Sequence, residues 1–156
     1  MLVCNFENGN QGSLRHVTVD VLVLKDDKIL LVKRTNKILE GGKWGLVGGF
    51  VDRDENIKEA ASREILEETG WTVSNVELLK INDYPNRPHE DRQNIAFVLY
   101  CEAEEKTGSG DWESDDQQWF ELESIPVKEE IAFDHYQNIQ DYLVFRKTKQ
   151  KPAILS

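Results

Sequence analysis

Three glutamates within five residues, Glu64, Glu67 and Glu68, stand on a segment whose local signals all point to helix. From about Glu55 to Thr69 helix formers dominate, Asp52 or Asp54 can cap the start, and Gly70 sits where a glycine ends a helix. Each helical residue turns the side chain by about 100°, and positions three and four apart are neighbours, so the three carboxylates share one side. Ala60 points between them and is too small to fill the space above, while Ala61, Ile65 and Leu66 can face apolar layers. Like charges at these spacings repel by a few tenths of a kcal/mol each. The negative end of the helix dipole adds about 0.3–1 kcal/mol per anion. A divalent cation reverses both signs, and hard oxygen ligands suit Mg²⁺ or Mn²⁺. The plainer alternative is a solvated acidic face with Arg63 paired to Glu67.

The chain around this helix has 156 residues, which predicts one domain, and 39% of them are hydrophobic. A domain of that size buries enough surface to fold without disulfides or a structural metal. No apolar run approaches the roughly 20 residues of a membrane span, and the first 16 residues lack the basic and apolar regions of a secretory signal. Cys4 and Cys101 fit neither a redox nor a zinc pattern, which points to two inert thiols and a cytoplasmic location. The net charge of −10 argues against duplex nucleic acid and anionic membranes as partners. That charge is localised: residues 49–71 carry −4, residues 102–130 carry −9, and the remainder carries +3. Phosphates are therefore admissible wherever a cation mediates.

Residues 1–13 read as a loose terminus, 14–148 as the domain and 149–156 as a tail. Strands are expected at His16–Leu24, Ile29–Arg34, Val73–Ile81, Asn94–Ala103 and Gln117–Leu122. Between the first pair and the acidic helix lies a glycine-rich passage, EGGKWGLVGGF, at Glu40 to Phe50. A second helix begins near Asp134, where Asp134 and Gln137 suggest a capping box and Phe133 a staple residue. Tyr136, Ile139 and Leu143 then recur at a packing spacing. The pattern predicts one α/β domain with a mixed sheet.

From Gly49 the sequence runs GFVDRDENIKEAASREILEETGW. It resembles the Nudix box, G-x5-E-x7-R-E-U-x-E-E-x-G-U with U apolar, and Gly49, Glu55, Arg63, Glu64, Glu67, Glu68 and Gly70 supply every fixed identity. The preceding WGLVGG is similar to the family's W-x-L-P-G-G, with Val47 where proline is usual, and Trp71 takes the last apolar position. The resemblance implies a Nudix-fold α/β/α sandwich and metal-dependent attack of water on a nucleoside diphosphate linked to another moiety. It implies Gly49, Glu64, Glu67 and Glu68 as ligands of Mg²⁺ or Mn²⁺. Arg63 is implied as the residue that orients the glutamates, and Glu55 as the one that steadies the box. The resemblance leaves the general base open between Glu64 and an acid on a later loop, where Glu113, Asp115 and Asp116 are candidates.

Specificity is expected in the loops. Arg87 and Arg92 of the loop at Asn82 to Arg92 can clamp phosphates in fork geometry, Tyr84 offers a ring for stacking, and Arg34 and Trp44 are further substrate contacts. The segment IAFDHYQNI, Ile131 to Ile139, resembles one found in ADP-ribose-hydrolysing Nudix proteins and in their regulator relatives, although Asp134 is explained as a cap and His135 as a surface residue. The expected partner is a small nucleoside diphosphate substrate, ADP-ribose or a related ADP-sugar, cleaved to AMP and a sugar phosphate. A homodimer is left open. A MutT-like triphosphate pyrophosphohydrolase and a non-catalytic Nudix-fold ligand sensor are the alternatives.

Overall fold

The computed structural model describes residues 2–87, 93–110 and 114–154, with the backbone alone at 114 and 115. A central strand buried on both faces organises it. This strand, β3 (Val17–Lys25), follows a short hairpin of β1 (Leu2–Asn5) and β2 (Gln11–Leu14) and turns at Asp26 into β4 (Lys28–Arg34). After β5 (Trp44–Gly45) and β6 (Val47–Phe50) come helix α1 (Ile57–Thr69), β7 (Trp71–Asn82), β8 (Ile95–Lys106), β9 (Ser114–Glu121) and helix α2 (His135–Thr148). Five strands run in the order β5-β4-β3-β8-β7, with β6 also on β3 and β9 on β4. The β3–β8 pair is parallel and the other pairs are antiparallel, so the sheet is mixed as expected.

Alternation along β3 splits the core in two, because successive side chains leave a strand on opposite faces. Val19, Val21 and Val23 join Ala60, Ala61 and Ile65 of α1, whereas Leu22 and Leu24 join Ile139 of α2 with Ile131 and Leu79. A sheet covered on both faces needs such near-continuous apolar strands. Asp20 therefore points to the α2 side, the only acid in an otherwise apolar strand interior.

Several local expectations are revised. Residues 2–14 pair as a hairpin rather than lying loose, although Leu2 and Val3 stay exposed. The α1 cap is Asn56, neither Asp52 nor Asp54: its side chain accepts from the N–H groups of Lys58 and Glu59, and Glu59 completes a capping box. Ala60 is fully buried in the core instead of underlying an open space, and Leu66 is exposed. Val47 is fully buried opposite Val21 of β3. It fills a core position that its strand pairing aims inward. Trp71 stands edge-on to Trp119 with ring centroids 5.5 Å apart and carries the Lys25 ammonium over its ring.

At its C-terminus α1 stops as predicted. Gly70 takes φ 75°, in the left-handed region, and donates its N–H to Leu66 O at 2.9 Å. A Cβ there would lie 2.1 Å from the Gly108 carbonyl oxygen. Gly70→Ala combines a disfavoured backbone with that clash, and should cost about 1–3 kcal/mol in urea unfolding. A midpoint equal to wild type would refute this account of the helix stop.

Candidate active site

The arginine at the middle of α1 organises the acidic cluster. Arg63 forms a fork with Glu55, donating from Nη2 to Oε1 at 2.7 Å and from Nε to Oε2 at 3.1 Å. From Nη1 it reaches Glu64 Oε1 at 2.9 Å and Glu67 Oε2 at 3.1 Å, and Nη2 also meets the Phe50 carbonyl at 3.0 Å. Charge-assisted bonds of this kind are shorter and stronger than neutral ones. They hold the Glu55 carboxyl below its usual range, first through Arg63 and then through the Asp52 N–H at 2.7 Å. The Glu55 hydrogen bond is also the main reason the Arg63 pKa rises.

The metal-ligand candidates meet where α1 faces β6. A Cβ on Gly49 would fall 2.2 Å from Glu64 Oε1, so only glycine lets that carboxylate lie directly against the strand backbone. Glu68 is buried, with its Oε1 3.4 Å from the Gly48 N–H, while Glu67 is more exposed. This all-oxygen set on one helix face, against a bare backbone, fits a hard divalent cation. Above it opens a cavity of about 220 Å³ lined by Gly48, Gly49, Glu64, Arg34, Phe50 and Phe133, among others. A larger cavity of about 1040 Å³, between the turn after β9 and α2, is lined by none of the box residues.

Among the described residues, one group of three or more potential ligands has all its ligand atoms within 4.8 Å of one another: Asp20, Asp134 and His135. A cation is already there. Arg87 donates from Nη2 to Asp20 Oδ2 at 3.1 Å and to Asp134 Oδ1 at 2.7 Å, and from Nε to Asp134 Oδ2 at 2.9 Å. His135 accepts the Leu46 N–H on Nδ1 at 2.9 Å. With the guanidinium spanning both carboxylates, this is an internal ion network rather than a metal centre.

That network corrects three sequence expectations. Arg87, expected as a phosphate clamp, lines the cavity but is 8% exposed and has its fork on two carboxylates. Asp134 makes no side-chain cap bond because Arg87 and Asn82 occupy it. His135 is buried instead of lying on the surface. Trp44 packs edge-on against Phe120 at 5.0 Å as part of the core margin. Tyr84 is exposed, and Arg34 faces the cavity with its guanidinium carbon 5.0 Å from the centre of the Phe133 ring. Asp116 is exposed and accepts the Gln117 N–H. Arg92 and Glu113 lie outside the described residues, as does the side chain of Asp115.

The sequence reading missed Asp20 and Phe133. An acid among seven apolar or β-branched neighbours of β3 was a visible signal for the first. Phe133 was read as a staple residue, and its place in the cavity wall comes from a left-handed backbone at φ 51° that local sequence does not announce.

Comparisons with known proteins agree with this geometry. The model of the NUDIX domain family matches residues 14–142. An ADP-ribose pyrophosphatase from Methanocaldococcus jannaschii is 38% identical over 128 residues, covering 81% of this chain and 72% of that protein. A NUDIX hydrolase structure from Nitrosomonas europaea superposes with a TM-score of 0.78 at 25% identity, over 94% of this chain and 81% of its own. The NUDIX domain of Shewanella oneidensis NrtR, solved with ADP ribose, gives a TM-score of 0.67 at 26% identity, over 86% and 90%.

Burial alone would push the Asp20 carboxyl up, but His135 and then Arg87 outweigh it and hold it at about 2, against an ordinary 3.8. A carboxyl lowered by folding stabilises fully above its unfolded value and loses that contribution as pH falls through the folded one. Wild type should therefore lose about 2 kcal/mol between pH 4 and pH 2 that Asp20→Asn does not lose. Calorimetric melting curves of the two proteins across that range test this; parallel curves would count against it.

Proposed function

Since the chain belongs to the NUDIX domain family and is a pyrophosphohydrolase, we propose that it hydrolyses ADP-ribose or a related ADP-sugar to AMP and a sugar phosphate, with Mg²⁺ or Mn²⁺ as cofactor. The observation that carries the reading is the Arg63 hub, which turns Glu64 toward bare backbone at Gly49 beside a cavity lined by Arg34, Phe50 and Phe133. The choice of substrate draws on the archaeal ADP-ribose pyrophosphatase, which aligns over most of both chains.

In this mechanism Glu64, Glu67, Glu68 and the Gly49 carbonyl would hold the ion. Bound there, it supplies neutralisation of the diphosphate and a lowered pKa for the attacking water. Arg63 holds Glu64 and Glu67 aimed through Nη1, and Glu55 prevents Arg63 from rotating away by filling two of its donors. Arg34, stacked on Phe133, presents positive charge to the phosphate side of the cavity, and Tyr84 remains a candidate for stacking. Glu64, Glu113, Asp115 and Asp116 compete for the role of general base, and glutamine or asparagine variants of each separate them through their pH–rate profiles.

A substrate panel with each ion, its products separated, tests the assignment. AMP and ribose 5-phosphate from ADP-ribose support it, whereas pyrophosphate from a triphosphate supports the MutT-like alternative. The likeness to the NrtR domain with ADP ribose motivates the sensor reading, which predicts binding without turnover. Glu68→Gln should lower the rate by at least about two orders of magnitude. An unchanged rate in the folded variant would sink the metal-site assignment.

A further inference from the structure

We propose that Arg87 is a positioning residue for ligand binding, acting through Asp134 to hold the Phe133 wall of the cavity in place. The inference rests on the substrate-site reading above.

Phe133 is an aromatic residue with φ 51°, a conformation that bulky side chains adopt only when their surroundings enforce it. Its neighbours supply the enforcement. On the N-terminal side, Ile131 pairs with Trp44 and the Ala132 N–H donates to Trp44 O at 2.8 Å. On the C-terminal side, Asp134 receives the Arg87 fork and the Asn82 amide, and His135 accepts the Leu46 N–H. The turn that aims the Phe133 ring at Arg34 is thus tied to the sheet before and after the ring.

Among the described residues, the Arg87 tie reaches the loop after β7. The neck of that loop is fastened independently, since Arg15 donates to the carbonyls of Asp83 at 2.6 Å and Asn94 at 3.2 Å, on its two sides. Arg87 then joins the loop to Asp20 on β3 and to Asp134 in front of α2. Loop and Phe133 turn are coupled through one planar fork that contacts both oxygens of Asp134. Lysine keeps the charge but is a point donor and cannot bridge two carboxylates in that geometry.

The test compares wild type with Arg87→Lys, Asp134→Asn and the double variant, using the best-hydrolysed member of a panel of nucleoside diphosphate-linked substrates. Each single variant should raise KM at least about tenfold while kcat stays within about threefold, since the wall moves and the Arg63 cluster does not. Amide exchange should quicken at residues 132–135 in both variants and stay unchanged in α1. The double variant should be no worse than the worse single one, because both act on the same tie. Unchanged KM, a matching fall in kcat, or additive KM increases indicating independent ligand contacts would each overturn the proposal. Wild type that is inert on ADP-ribose but active on another member refutes the assigned substrate and leaves the KM comparison intact.

Discussion

A guanidinium among carboxylates makes the acidic helix tolerable. Without Arg63, Glu55, Glu64 and Glu67 would repel one another, and Glu67 stands in the last turn of α1, at the unfavourable end of the helix dipole. With it, each has a donor at 3.1 Å or less, and the strand carbonyl of Phe50 is drawn into the same set. The helix and the glycine-rich strand are consequently joined by polar contacts on one side and by Ala61 and Ile65 packed against β3 and β6 on the other. The position of the Glu64 carboxylate depends on both.

A second arginine solves a different problem on the opposite face of the sheet. Asp20 and Asp134 would be costly as two anions out of water. Arg87 spans them, and burial, which works against its own charge, is outweighed by these two carboxylates. One arginine supports the Glu64 side of the cavity and the other its Phe133 side. The sheet separates the two cores, and β3, β4 and β8 each send alternate residues to both.

Legibility in the sequence followed the range of the interactions. The box residues run without interruption from β6 through the following loop to the end of α1, so a local motif reported their arrangement, and the mixed sheet followed from apolar runs of strand length. Asp134 illustrates the limit. Followed by Gln137 it has the look of a cap, but its true partners, Asn82 and Arg87, are about 50 positions away in sequence and nothing local announces them. Arg87 suffered the converse error, since a Pro-rich loop suggests solvent and the fold buries that side chain. Asn56 was passed over for two nearby aspartates because all three are good cap residues and only the backbone path decides among them.

The parallel pairing of β3 with β8 also bears on how the molecule assembles. Val17 meets Ile95 and Leu24 meets Glu102, so this ladder joins segments 78 residues apart. The β3–β6 ladder, which carries Gly49, closes a loop less than half as long. Long closures are entropically dearer and slower to find. The chain can thus bring its glycine strand and acidic helix together from nearby sequence before the strand that covers the other edge of β3 arrives. Topology places the acidic cluster among the shorter closures and the Phe133 side of the cavity, which takes residues from the loop after β7 and from the turn before α2, among the longer ones.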